Sequence, residues 1–269
     1  MPLSKLITPS YFKWVLRLHQ KYKRYRNKYG RSLDPNLGLI SAALIFCLWI
    51  FTFVLSCQVD LGSVSIWVGT LIVVVRTFLH TGLFIISHDA AHGTVFTGNR
   101  RLNDWIGAIA LWIYGLLPYQ KFVINHGLHH KHPATAQDPD FHDGRHSSMT
   151  KWYLGFMYRY IDKKQVLTLF IGMTILFHGI RIGFNVSAVN LLLFWILPLL
   201  LSSMQLFYFG TYLPHREPVH KDRHNARSSK FPVLISFFTC YHFGYHWEHH
   251  EYPYLPWFRL PSVRKYSGH

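Results

Sequence analysis

The chain has 269 residues, of which half are hydrophobic, 17% aromatic and only 15% charged. A soluble domain carries about 25% charged residues, so this chain is short of the polar surface that coats a globule, and its aromatic load excludes a disordered chain. The formal charge of +16 leaves two partners open, nucleic acid or anionic lipid.

The predicted elements, taken in chain order, choose lipid over nucleic acid. Residues 1–36 form a basic amphipathic arm, with Tyr11, Phe12, Trp14 and Leu18 set among nine Lys/Arg. Such an arm either lies on an anionic inner leaflet or is a solvated basic tail. Asn36 to Ser56 is uncharged and long enough to cross a bilayer. A second apolar run, Ser63 to Ser87, is interrupted only by Arg76 and His80. Polar residues inside a span are functional by default, pairing with backbone carbonyls being the plain alternative. Trp105 to Pro118 is too short to cross and reads as interfacial or re-entrant. Runs over residues 166–182 and 186–213 complete four crossings. Of the 28 Lys/Arg, all but Arg76 and Arg181 lie in residues 1–36, 88–164 and 214–269. The positive-inside rule assigns those three regions, and with them both termini, to the cytoplasm. Cys47, Cys57 and Cys240 stand too far apart for a disulfide framework or a thiolate zinc site. The expected fold is an all-α integral membrane protein of about four transmembrane helices plus a re-entrant or interfacial helix. A cytoplasmic cap carries a histidine-rich di-metal site. The core domain covers residues 37–265, and 266–269 form a tail.

Nineteen histidines are the anomaly of this composition. His88 and His92 in SHDAAHG stand four apart, on one helix face. His126, His129 and His130 in HGLHH, and His246, His249 and His250 in HWEHH, repeat that facing as H-x-x-H-H. His215 in YLPHR ends the last span. All these positions fall on one side of the membrane by the charge argument, so they point to metal. Eight or nine imidazoles exceed what one first-row ion accepts, which implies two ions. Imidazole suits zinc, copper, iron or nickel, and the excess of histidine fits a redox pair better than a zinc hydrolase. A bis-histidine haem site explains the H-x-x-H-H triplets poorly. No nucleotide-binding motif is evident, so electrons must come from outside.

The three boxes resemble those of the membrane fatty-acid desaturase and hydroxylase superfamily. The strings HDAAHG, HGLHHKHPATAQDPDFH, FGTYLPHR, DRHNARSS, YHFGYHWEHH and PWFRLP are similar, in order, to those of bacterial and cyanobacterial β-carotene ketolases, over roughly residues 75–265. Ala91 stands where that family commonly has Met. The resemblance implies an oxygenase with two non-haem iron ions that uses O2 and an external reductant such as ferredoxin. It would oxidise carbon 4, and 4′, of β-ionone rings by two successive hydroxylations and loss of water. β-Carotene would give echinenone and canthaxanthin, and zeaxanthin would give astaxanthin where hydroxylated rings are accepted. The alternative is a carotenoid 3-hydroxylase or an acyl-lipid desaturase of the same superfamily. Substrate would arrive from the lipid of a bacterial inner or photosynthetic membrane, and a donor protein would supply electrons.

By box position the implied ligands are His88, His92, His126, His129, His130, His246, His249 and His250, with His215 as the ninth. Asp138 and Asp140 in DPDFH are expected to orient ligand imidazoles or to ligate directly, a turn with solvated Asp being the alternative. Asp89 and Glu248, each beside a box histidine, are further partners of that kind. Tyr208, Phe209, Tyr212, Phe243 and Trp247 are candidates for lining the ring pocket. His142, His224 and His242 are not expected to bind metal.

Overall fold

The computed structural model describes Gln20 and residues 36–142, 144, 147–216 and 224–264. The basic arm, apart from Gln20 and Asn36, and the 266–269 tail lie outside the described residues.

Four helices are long and apolar enough to cross a membrane: α1 (Leu37–Cys57), α2 (Ile66–His92), α6 (Lys163–Gly183) and α7 (Ala188–His215). Between α2 and α6 come α3 (Arg100–Gly115), α4 (Tyr119–Lys131) and α5 (Met149–Tyr160). After α7 the chain forms the short helices α8 (Val233–Cys240), α9 (His246–Glu251) and α10 (Leu260–Val263). The described residues contain helices and no strands, as a bilayer demands of a chain that must satisfy its own backbone.

The second span runs five residues further than the end of its apolar stretch at Ser87 and carries the first histidine box on its own last turns. Continuation there costs little, because Asp89 and the imidazoles find partners inside the protein. Gly93, at φ 78°, then ends the helix in a left-handed cap that a side chain would strain.

The short apolar stretch opens a bent helix pair, a hairpin that turns back along α2. Helices α3 and α4 meet at a bend of 101°. At its start α3 stands level with the first box, Asn103 donating to the Ala90 carbonyl at 2.8 Å. At its end it reaches His80, whose Nε2 meets the Tyr114 carbonyl at 2.8 Å. That is eight residues, about 12 Å, down α2 from His88. Helix α4 then climbs back, setting Phe122 edge-on to Phe84 and bringing His126 against His88. The close approach of α3 to α2 depends on Gly107, where an added Cβ would sit 2.4 Å from that of Ala90.

Arg76 and His80 tie the spans together. The Arg76 guanidinium, fully buried, donates to the carbonyls of Trp49 (2.6 Å) and Phe194 (3.0 Å) and lies over the Trp49 and Phe53 rings. His80 accepts from the Trp49 indole at 3.2 Å. Phe194 belongs to a π-helical segment, Leu192–Ile196, which widens α7 where the guanidinium meets its carbonyl. A second such segment, Tyr208–Tyr212, lies one turn before His215. Helix α6 stands at the edge with none of its apolar window buried, as suits a helix solvated by lipid.

Candidate metal centre

Three helices and one span end bring nine histidines together. Helix periodicity aims His88 and His92 from α2, and His126, His129 and His130 from α4, at one point; α9 contributes His246, His249 and His250, and α7 ends on His215. Two groups of four result, His88 with His92, His126 and His249, and His129 with His215, His246 and His250. The ligating nitrogens of each group lie within 4.8 Å of one another. In the first group the Nε2 atoms of His88 and His249 are 3.1 Å apart, and those of His92 and His126 2.7 Å. In the second, His246 Nε2 lies 3.0 Å from His215 Nε2, 3.0 Å from His250 Nε2 and 3.3 Å from His129 Nε2. His130 sits on the seam, its Nε2 2.9 Å from that of His249 and its ring stacked on His250.

The donor set fits metal cations. His129 Nδ1 donates to Asp138, at 2.9 Å to Oδ2, and His215 Nδ1 donates to the Asn225 carbonyl at 2.9 Å. Each bond fixes the proton on Nδ1 and leaves a lone pair on Nε2. Lone pairs about 3 Å apart repel unless a cation lies between them. Burial first, and the neighbouring imidazoles second, hold His246, His249 and His250 well below the usual histidine range. They are therefore neutral at physiological pH, the form that binds metal. Nitrogen donors alone do not distinguish iron from zinc or copper.

The carboxylates differ in role. Asp138 accepts from His129 and from the backbone N–H groups of Ala134 and Asp140, each of these at 2.8 Å. Burial pushes its carboxyl up, but His129 and these donors outweigh that and hold it below the usual range. Asp140 Oδ2 stands 3.8 Å from His129 Nδ1, beyond hydrogen-bond reach, while its Oδ1 accepts from the Tyr160 hydroxyl at 2.5 Å. Asp89 bridges His88 Nδ1 (3.3 Å) and the Trp257 backbone N–H (3.0 Å). Glu248, fully buried, accepts from the Ser228 hydroxyl, which also accepts from the Trp247 N–H. The three histidines set aside from the sequence lie outside both groups: His142 packs on Phe141 and Trp152, His224 meets Glu251 at 2.8 Å, and His242 meets Ser236 at 3.1 Å.

An aromatic cavity opens beside the histidines. Its wall includes His88, His126, His129 and His246 at one end, with Phe84, Tyr114, Phe122, Phe156, Tyr160 and Phe243 around it. Counting its open mouth and the solvent space there, it takes in about 750 Å³. Of the five aromatics expected to line a ring pocket, only Phe243 is on this wall. Tyr212 packs on Trp152, Phe209 faces the core near Phe231, Tyr208 is 36% exposed, and Trp247 lies against His224. The reason is the π-helical segment, which turns Gly210 and Thr211 to the cavity in place of their aromatic neighbours. Phe84 and Phe122 were legible but overlooked: each stands four residues before a box histidine and so on the same helix face.

A family model described as fatty acid desaturase matches residues 61–269. The chain belongs to the fatty acid desaturase family. The relatives of this desaturase-family chain are narrower in name. It is 40% identical over 237 residues to a β-carotene ketolase of Paracoccus sp. (strain PC1), covering 87% of this chain and 93% of that one. A β-carotene ketolase of Paracoccus sp. (strain N81106 / MBIC 01143) is 44% identical over 192 residues, 70% of this chain and 76% of that one. A zeaxanthin 4-ketolase of Chlamydomonas reinhardtii is 36% identical over 242 residues, 85% of this chain and 53% of that one. No solved structure matches the chain.

Proposed function

We propose that this membrane protein is a carotenoid 4-ketolase, which oxidises the ring methylene at carbon 4 of β-carotene to a ketone, first on one ring and then on the other. The observation that carries the reading is the aromatic cavity ending on His88, His126, His129 and His246, in a chain whose relatives are named as ketolases. A substrate without polar groups reaches such a cavity from the lipid. There Phe84, Phe122, Phe156 and Phe243 bind the ring by apolar contact and exclude water.

The nine histidines would hold two iron ions, which when bound supply the activation of O2 with electrons from an external donor such as ferredoxin. Each hydroxylation puts one oxygen atom of O2 into a C–H bond and reduces the other to water with electrons and protons from outside. The second yields a geminal diol, which loses water to give the ketone. The chain's own part is to orient. Asp138 holds His129 by its Nδ1–H, the Asn225 carbonyl holds His215, and Asp89 faces His88. The basic regions support a cytoplasmic metal site and cytoplasmic termini, with the residue 1–36 arm on anionic lipid.

The test is expression in a bacterial host that accumulates β-carotene, with pigments separated by chromatography and identified by mass spectrometry. Echinenone and canthaxanthin are expected, and neither from His249→Ala, whose residue faces His88 and His130. Zeaxanthin as product would mean a 3-hydroxylase instead. Unchanged β-carotene beside well-expressed protein and a supplied donor would overturn the reading.

A further inference from the structure

The cavity is apolar apart from the histidines and a few groups on one side, Asp140, Tyr160, Ser203 and Thr211. Ser203 is engaged, its hydroxyl bonded to Tyr153 at 2.7 Å and to the Leu200 carbonyl at 2.8 Å. Asp140 is only half engaged. Oδ1 accepts from Tyr160, whereas Oδ2 has no hydrogen bond among the described residues and is not sealed from the cavity space. This free carboxylate oxygen lies 3.8 Å from His129 Nδ1, beside one of the four histidines that line the cavity.

An unoxidised β-carotene ring has nothing to offer that oxygen. The half-oxidised ring does, because the first hydroxylation places an O–H on the reacting carbon. In a largely apolar cavity that hydroxyl needs a polar partner, and among the polar groups on this wall a carboxylate makes the stronger bond. We infer that Asp140 is a further substrate-binding residue of the ketolase: its Oδ2 accepts the hydrogen bond of the newly formed 4-hydroxyl and holds the ring for the second oxidation. No covalent step is involved. Tyr160 is a positioning residue that keeps Oδ1 occupied, so that Oδ2 is the oxygen presented. The inference rests on the ketolase reading and adds the residue that couples its two oxidations.

The test is the pigment profile of Asp140→Asn in the β-carotene host, with protein quantified in the membrane fraction. The Tyr160 hydroxyl donates, so it selects the amide oxygen of Asn at the Oδ1 position and leaves an NH2 at Oδ2. A donor then faces the 4-hydroxyl where an acceptor stood. The ratio of 4-hydroxy to 4-keto rings is expected to rise about tenfold, the effect of losing one charge-assisted hydrogen bond. Tyr160→Phe keeps the carboxylate but releases it, and is expected to raise the ratio less. A merely structural role lowers total conversion and leaves the ratio unmoved; that outcome, in both variants, would overturn the inference while the ketolase reading stands. Wild-type protein that makes no ketone would instead remove the reading on which it rests.

Discussion

His129 shows what a single residue does in this site. One ring nitrogen meets His246 and His250, at 3.3 and 3.0 Å, while the other meets Asp138 at 2.9 Å. The carboxylate thus decides which nitrogen carries a lone pair. Asp138→Ala is expected to lower metal affinity about 10- to 100-fold, the usual cost of losing a carboxylate partner of a ligating imidazole. Metal per protein after competition with a chelator measures it; an unchanged content would mean that His129 needs no such partner. Histidine as a residue type was readable without a structure, because few side chains explain three boxes at helical spacing. That Asp138, nine residues beyond His129, folds back under it was not. The turn depends on Ala134 at φ 55° and on the backbone donors of Ala134 and Asp140, none of which a side-chain pattern announces.

At the scale of elements, the α3–α4 hairpin builds half of the site, since it carries His126, His129 and His130 back to α2. It packs on α2 through Gly107. Gly107→Val is expected to lower the yield of folded protein and its Tm in detergent, because overpacking costs about 1–3 kcal/mol and the displaced box disturbs the histidines. Gly127→Ala is the contrast. No atom outside its own helix lies within 4 Å of a Cβ there, so Tm should hold or rise slightly with the better helix former. Equal losses in both variants would remove the packing argument. Hairpin length was readable, 14 apolar residues being too few to cross, and so were the span positions, to within a few residues. The π-helical segments of α7 were not. They arise where Phe194 meets Arg76 and where Gly210 lies under Phe243, contacts between residues 33 or more apart in the chain.

For the molecule as a whole, the site gathers the ends of α2, α4 and α7 at one end of a bundle. The tip of the hairpin and the start of α6 meet deeper, where Gln165 donates to the Leu116 carbonyl at 2.7 Å. Reporter domains fused before Met1 and after His269 are expected to read the cytoplasm, and one inserted in the Asp60–Ser63 turn the opposite side. A split result for the two termini would break the even count of crossings. What the sequence determined by itself was the class of molecule: hydropathy and charge act locally and additively, so spans, their number and the histidine boxes are legible residue by residue. What only the tertiary structure decided was the division of nine imidazoles into two groups of four with His130 between, the aromatic wall, and the free oxygen of Asp140. Those depend on how separate helices pack, where a one-residue change of turn, as in the π-helical segment, replaces Tyr208, Phe209 and Tyr212 by Gly210 and Thr211 at the cavity.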